Sequence, residues 1–137
     1  MILFVYGTLR PSLYPHVCEQ WGLKSAGPAL TKGWTMYNLG RFPAVVEALT
    51  GSSIIGELVI VDNLDRLDRY EGYRPNGQGL YNRKTIEVFP ARCTQEPIWL
   101  YYMNNAPQTG EFYGDNEPVL YPVIPSGDWE DVVTRSK

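Results

Sequence analysis

Residues 2 to 6, Ile2-Leu3-Phe4-Val5-Tyr6, form an apolar run without a polar interruption, and the run stops at Gly7. A half-exposed strand alternates polar and apolar side chains, whereas an unbroken run is the pattern of a strand buried on both faces. The rest of the chain is punctuated in keeping with that start. Eleven Pro, thirteen Gly, ten Tyr and four Trp in 137 residues favour many short strands and turns over a helix bundle.

Further strands are expected over Thr35 to Leu39 with a glycine stop at Gly40, over Pro43 to Ala48, and over Ile54 to Val61. Tyr81 to Phe89 and Pro97 to Met103 add two more, with a hairpin turning near Ala91 to Glu96. Pro15 opens a short helix through Trp21, its fixed φ suiting the first helical position. The clearest helix runs from Leu64 to Glu71, capped by Asp62 or Asn63 and stopped by Gly72. Tyr73 to Gly79 reads as a turn-rich loop. After Asn104 the chain reads as irregular until a last short helix capped by Ser126 or Asp128. No composition shift divides the chain, so one domain spanning 1–137 is expected. The predicted fold is α+β: a small, mixed, mainly antiparallel β-barrel with a few short helices, closure removing exposed edges.

Charge and composition exclude several function classes. Twelve Lys and Arg against fifteen Asp and Glu leave a net charge of −3, without the basic cluster of a nucleic-acid surface. No apolar stretch approaches the ~20 residues of a spanning helix, and the start lacks the basic n-region and cleavage site of a signal peptide. A cytoplasmic protein is the expectation, and a monomer, since no long apolar surface stripe is visible. Cys18 and Cys93 are too few for a disulfide framework and too far apart for a C-x-x-C pair. With only His16 besides, an N/S zinc site is hard to assemble, and neither metal nor cofactor is expected. Cys18 and His16 at i and i+2 point to different sides of a helix, which favours packing over a catalytic pair.

Two features invite chemistry. In Tyr6-Gly7-Thr8-Leu9-Arg10 the glycine lets the backbone turn sharply and lets another group approach closely. Successive amides in such a turn can form an anion or oxyanion nest; on residues alone, the favoured reading is the plainer one, that Gly7 merely ends a strand and Arg10 is a solvated charge. Glu71 is the second feature. At about 100° per residue it falls within about 20° of Leu64, on the stripe of Leu64 and Leu67, while Asp65, Arg66 and Arg69 fall outside it. An acid there is costly to ionise and is paired, hydrogen-bonded or tuned for proton transfer, and the helix C-terminus should raise its pKa further. If the helix frays by Tyr70, it is instead a solvated loop acid. Asp65 and Asp68 read as helix-surface charges, Glu57 as an outward strand residue or salt-bridge partner, and Asp128 as a cap or turn residue.

Tyr6-Gly7-Thr8-Leu9 closely resembles the signature that opens gamma-glutamylcyclotransferase-like proteins. Tyr37-Asn38-Leu39-Gly40 with Phe42-Pro43-Ala44-Val45, Gly56-Glu57-Leu58, Leu64 to Tyr73, Tyr81 with Arg83, and Trp99 with Tyr101 and Tyr102 continue the likeness in order along almost the whole chain. The resemblance implies an enzyme of the small, general branch, similar to gamma-glutamylamine cyclotransferases. It further implies Glu71 as general acid/base and the substrate's own α-amine as the nucleophile. The products would be 5-oxoproline and a free amine or amino acid. Gly7, Thr8 and Leu9 would bind substrate through backbone amides, with Tyr6, Tyr81 and Tyr101 lining the pocket. A noncatalytic module binding a small carboxylated metabolite, or an amide hydrolase in which Glu71 activates water, is the competing reading.

Overall fold

The computed structural model describes residues 1–72, 81–90, 96–113 and 117–135. In chain order the elements are β1 (Ile2–Val5), α1 (Pro15–Trp21), β2 (Lys24–Asn38), β3 (Pro43–Glu47), β4 (Ser52–Ile60), α2 (Asp65–Glu71) and β5 (Asn82–Ile86). They are followed by β6 (Ile98–Tyr102), β7 (Gln108–Tyr113), β8 (Glu117–Leu120) and α3 (Trp129–Arg135). A six-stranded sheet has the order β3-β2-β4-β1-β6-β5, and β7 with β8 forms a separate two-stranded sheet.

The apolar run lies where its composition demands. β1 sits between β4, antiparallel with Val5 opposite Glu57, and β6, parallel with Ile2 opposite Ile98. Its side chains alternate between two layers. Phe4 and Tyr6 join a cluster with Trp34, Met36, Leu100 and Trp129; Leu3 and Val5 join Cys18, Leu64 and Leu67 beneath α1 and α2. Both helices end on glycines in the left-handed region, α2 on Gly72 as expected and α1 on Gly22, after the expected last residue Trp21. At the start of α2 the N-cap position is Leu64, without a side-chain cap, so neither Asp62 nor Asn63 caps the helix as expected; Asn63 Oδ1 instead accepts the Asp65 amide at 3.1 Å.

Four further expectations need correction. The strand expected from Thr35 begins at Lys24 and runs 15 residues to Asn38. Its Gly27 and Gly33, at φ 97° and 91°, sit at register shifts against β4. Glycine and proline that read as breaks are bulges inside one strand, which bends from β4 to β3. The segment after Asn104 is not irregular throughout, since it carries β7 and β8, with Gln108 opposite Leu120 and Tyr113 opposite Glu117. A two-stranded sheet tolerates a proline such as Pro118 because both strands are edges.

Nor does the sheet close into a continuous barrel. It curls until its outer parts meet through single bridges, Val46 with Met103 and Leu30 with Phe89, so its strand order remains open. The expected Tyr81 to Phe89 strand is shorter, with Phe89 reduced to one such bridge. The Tyr73 to Gly79 loop and the 91–95 part of the expected hairpin turn lie outside the described residues. No helix of the described residues is long and apolar enough to cross a membrane.

Candidate active site

At the C-terminal end of β1 the chain turns back on itself. The Arg10 amide donates to the Gly7 carbonyl at 3.0 Å, which closes a turn over Gly7 to Arg10. The intervening amides, of Thr8 and Leu9, have no hydrogen-bond acceptor among the described residues. Gly7 is not in the left-handed region. A Cβ there would meet Pro43 Cδ at 2.7 Å and Cγ at 2.8 Å, so glycine serves a close approach rather than a special φ.

The far side of the turn is clamped. Arg10, expected as a solvated charge, is buried; its Nη1 donates to Asp128 Oδ1 at 2.8 Å and Nη2 lies 3.9 Å from Glu130 Oε2. Asp128 also accepts the Glu130 amide at 3.0 Å, so it caps α3 as expected while carrying an ion pair the sequence does not announce. Glu57 is buried rather than outward, and both its oxygens accept the Ser12 amide, at 3.3 and 3.2 Å. Cys18 donates its thiol to the Leu9 carbonyl at 2.9 Å. Burial, and then the charge of Glu57, push that thiol up to about 11. His16 points outward, so the two do not form a pair.

Opposite the turn stands the end of α2. Glu71 is its last residue, still helical, and Tyr81 donates its amide to the Glu71 carbonyl at 3.2 Å. Leu64 and Leu67 on the same stripe are buried, which draws the Glu71 carboxylate inward. Burial pushes its carboxyl up to about 7, and no hydrogen bond to it comes from the described residues. Such a group exchanges a proton near neutrality.

Tyr6, Gly7, Thr8, Leu9, Glu71, Tyr81 and Tyr101 line one open cavity of about 290 Å³. Phe42, Pro43 and Tyr70 line it as well; they lie on elements whose approach to β1 no local pattern reveals. Burial is the first cause raising each of the three phenols, and the Glu71 charge contributes to all three. The hydroxyls are committed differently. Tyr6 donates to the Tyr101 carbonyl at 2.7 Å, and Tyr101 donates to Asp68 Oδ1 at 2.5 Å. Only the Tyr81 hydroxyl has no partner among the described residues.

Asp68 is therefore not a surface charge. It lies one turn before Glu71, mostly buried, and accepts Arg83 Nε at 3.0 Å beside the Tyr101 hydroxyl. Arg83 in turn stacks over Trp99 at 4.5 Å. The sequence carries one faint signal of this network, the placement of Asp68 just off the apolar stripe. Among the described residues no group of three or more His, Cys, Asp or Glu could hold a metal.

Comparison with known proteins gives this site a context. A family model described as gamma-glutamyl cyclotransferase, AIG2-like, matches residues 3–131. A protein of Methanocaldococcus jannaschii, named as a candidate gamma-glutamylcyclotransferase, is 30% identical over 131 residues, covering 94% of this chain and 95% of its own. Among solved structures, protein YtfP of Escherichia coli is 26% identical with a TM-score of 0.60, and the alignment covers 100% of both chains. An AIG2-like protein of Mus musculus shares the fold, with a TM-score of 0.55 at 20% identity over 88% of this chain and 94% of that one.

Proposed function

The chain belongs to the gamma-glutamyl cyclotransferase, AIG2-like family and is a cyclotransferase-type enzyme, and from that premise we propose that it cleaves gamma-glutamyl amides with Glu71 as general acid/base. The observation that carries the proposal is Glu71 itself, a carboxyl raised to about 7 by burial on the wall of a cavity with unused turn amides.

The substrate's α-ammonium gives a proton to the Glu71 carboxylate. The freed amine nitrogen attacks the γ-carbonyl carbon, closing a five-membered ring, and the carbonyl electron pair moves to oxygen. When the tetrahedral centre collapses, the bond to the amide nitrogen breaks, the Glu71 carboxylic acid protonates that nitrogen, and the second proton of the ring nitrogen passes to the departing amine, which leaves as an ammonium. The products are 5-oxoproline and a free amine, and Glu71 returns to its starting state. A single residue in both roles works best with a pKa near the working pH. Because the nucleophile belongs to the substrate, no cysteine or serine is required, and holding the substrate folded supplies much of the rate.

The Thr8 and Leu9 amides hold the substrate carboxylate or the developing oxyanion, where one such donor is typically worth ~3 kcal/mol. Tyr81 is a neutral donor to substrate at neutral pH, since its phenol is raised. Tyr6 and Tyr101, with hydroxyls already engaged, shape the cavity and present their rings.

Gamma-glutamyl amines and peptides incubated with the enzyme should yield 5-oxoproline by mass spectrometry. In labelled water no isotope should enter the product, which separates cyclisation from hydrolysis. Turnover that persists in Glu71→Gln would remove Glu71 from the mechanism.

A further inference from the structure

We propose, resting on the cyclotransferase reading above, that the mouth of the cavity selects gamma-glutamyl amides whose leaving amine carries an uncharged, apolar group. The cavity changes character with depth. Leu3, Val5 and Leu9 are buried on its inner wall, whereas Phe42 and Tyr70, also lining it, are 42% and 61% exposed. At about 290 Å³ it is near the small end of ligand pockets, ~300–1,000 Å³, so a glutamyl head fills the inner part. The amide nitrogen must lie within reach of Glu71, which directly follows Tyr70. What is attached to that nitrogen leaves the inner cavity beside the Tyr70 ring, with Phe42 as the other exposed aromatic of the lining.

The Tyr70 ring is exposed yet braced. It packs edge-on against Trp21, centroids 5.0 Å apart at 64°, and the Arg66 guanidinium covers Trp21 at 4.2 Å. An aromatic already held in place loses little freedom when a ligand packs on it, and large exposed aromatics beside a pocket are typical anchors for apolar groups.

Charge at the mouth points the same way. No Lys or Arg is among the described lining residues. Arg10 is spent on Asp128, Arg83 on Asp68, and Arg66 on Trp21. Among the described lining residues an anionic leaving group meets no cation, and a cationic one meets no carboxylate besides Glu71, which must itself carry the proton.

The test compares kcat/KM for 5-oxoproline formation on three substrates with the same acyl head: gamma-glutamyl benzylamide, the gamma-glutamyl isopeptide of lysine, and gamma-glutamyl-cysteinyl-glycine. The benzylamide is expected to lead by about tenfold or more, the range that apolar pocket contacts discriminate. Tyr70→Ala should shrink that lead about tenfold, through KM more than kcat, while Tyr70→Phe keeps it. Equal rates, a charged substrate in front, or a lead that survives Tyr70→Ala overturns the proposal and leaves the cyclotransferase reading standing. Absence of 5-oxoproline from all three substrates overturns the cyclotransferase reading itself.

Discussion

The two sides of the Gly7–Arg10 turn treat buried charge in opposite ways. On the outer side a guanidinium is buried, and the fold surrounds it with Asp128 and Glu130. On the cavity side a carboxyl is drawn in by its helix and receives no hydrogen bond from the described residues, so its pKa rises to about 7. A paired buried charge is architecture, because removing one partner strands the other. An unpaired one is held ready to titrate, at a cost in stability. Asp68 repeats the contrast one turn away on the same helix, where Tyr101 and Arg83 satisfy a carboxylate beside one that no described residue hydrogen-bonds.

Glu71→Gln should break this contrast with the largest effect. Turnover should fall by about 10²- to 10⁴-fold, the usual worth of a general acid/base. The same change should stabilise the protein at pH 8. Glu71 titrates near 7 folded against an ordinary 4.5, so the native state holds the proton longer. That contribution is fully present below about 4.5 and is lost as pH rises through about 7. A shift of that size corresponds to at most about 3 kcal/mol, reduced by partial exposure. Thermal melts of the two proteins should thus differ by roughly 5 °C at pH 8 and converge at pH 4. Equal melting curves at pH 8 would mean that Glu71 is not desolvated.

Next in size is the clamp. Asp128→Ala removes the close partner of the Arg10 guanidinium and should cost about 3 kcal/mol in chemical denaturation. Arg10→Met with Asp128→Leu should recover much of that loss, as paired apolar replacements of buried ion pairs do. If the double variant is as unstable as the single one, the pair has a role beyond mutual neutralisation.

Gly7→Ala sits between the two regions. Its Cβ would press on the Pro43 ring, and relieving that contact should cost about 1–3 kcal/mol. KM should rise as well, because the displaced turn carries the Thr8 and Leu9 amides. A variant with unchanged stability and KM would mean that Pro43 simply withdraws.

The smallest expected effect sharpens the tyrosine assignments. Tyr101→Phe loses the hydroxyl on Asp68 and should cost about 1 kcal/mol of stability with little change in kcat. Tyr81→Phe should spare stability and lower kcat/KM by about tenfold, as a lost hydrogen bond to substrate does. Steady-state kinetics beside denaturation would expose a reversed pattern, which would exchange their roles.

Legibility followed range. The start of α1 is readable because Pro15 acts on its own backbone, and the end of α2 because Gly72 does the same. The inward phase of Glu71 follows from Leu64 and Leu67 on one short helix. The gathering of the candidate residues in one cavity is partly local too, since Tyr6 to Leu9 are contiguous. Asp68 defeated the same reasoning, because its partners stand on β5 and β6 and nothing near it in sequence marks them. β2 was missed for the opposite reason. Its glycines are real local signals, but whether glycine ends a strand or bulges it depends on the strand alongside.

By itself, then, the sequence determined the doubly buried first strand, the turn after it, two short helices and the helical phase that sets Glu71 on the apolar stripe. Each rests on backbone preference or periodicity within a few residues. Only the tertiary structure decided that Pro43 would leave no room for a Cβ at position 7, that Arg10 would find Asp128 118 residues away, and that the curled sheet would stop short of closure. Those outcomes depend on which distant groups share a desolvated space, and pairing energies of that kind have no imprint on local spacing.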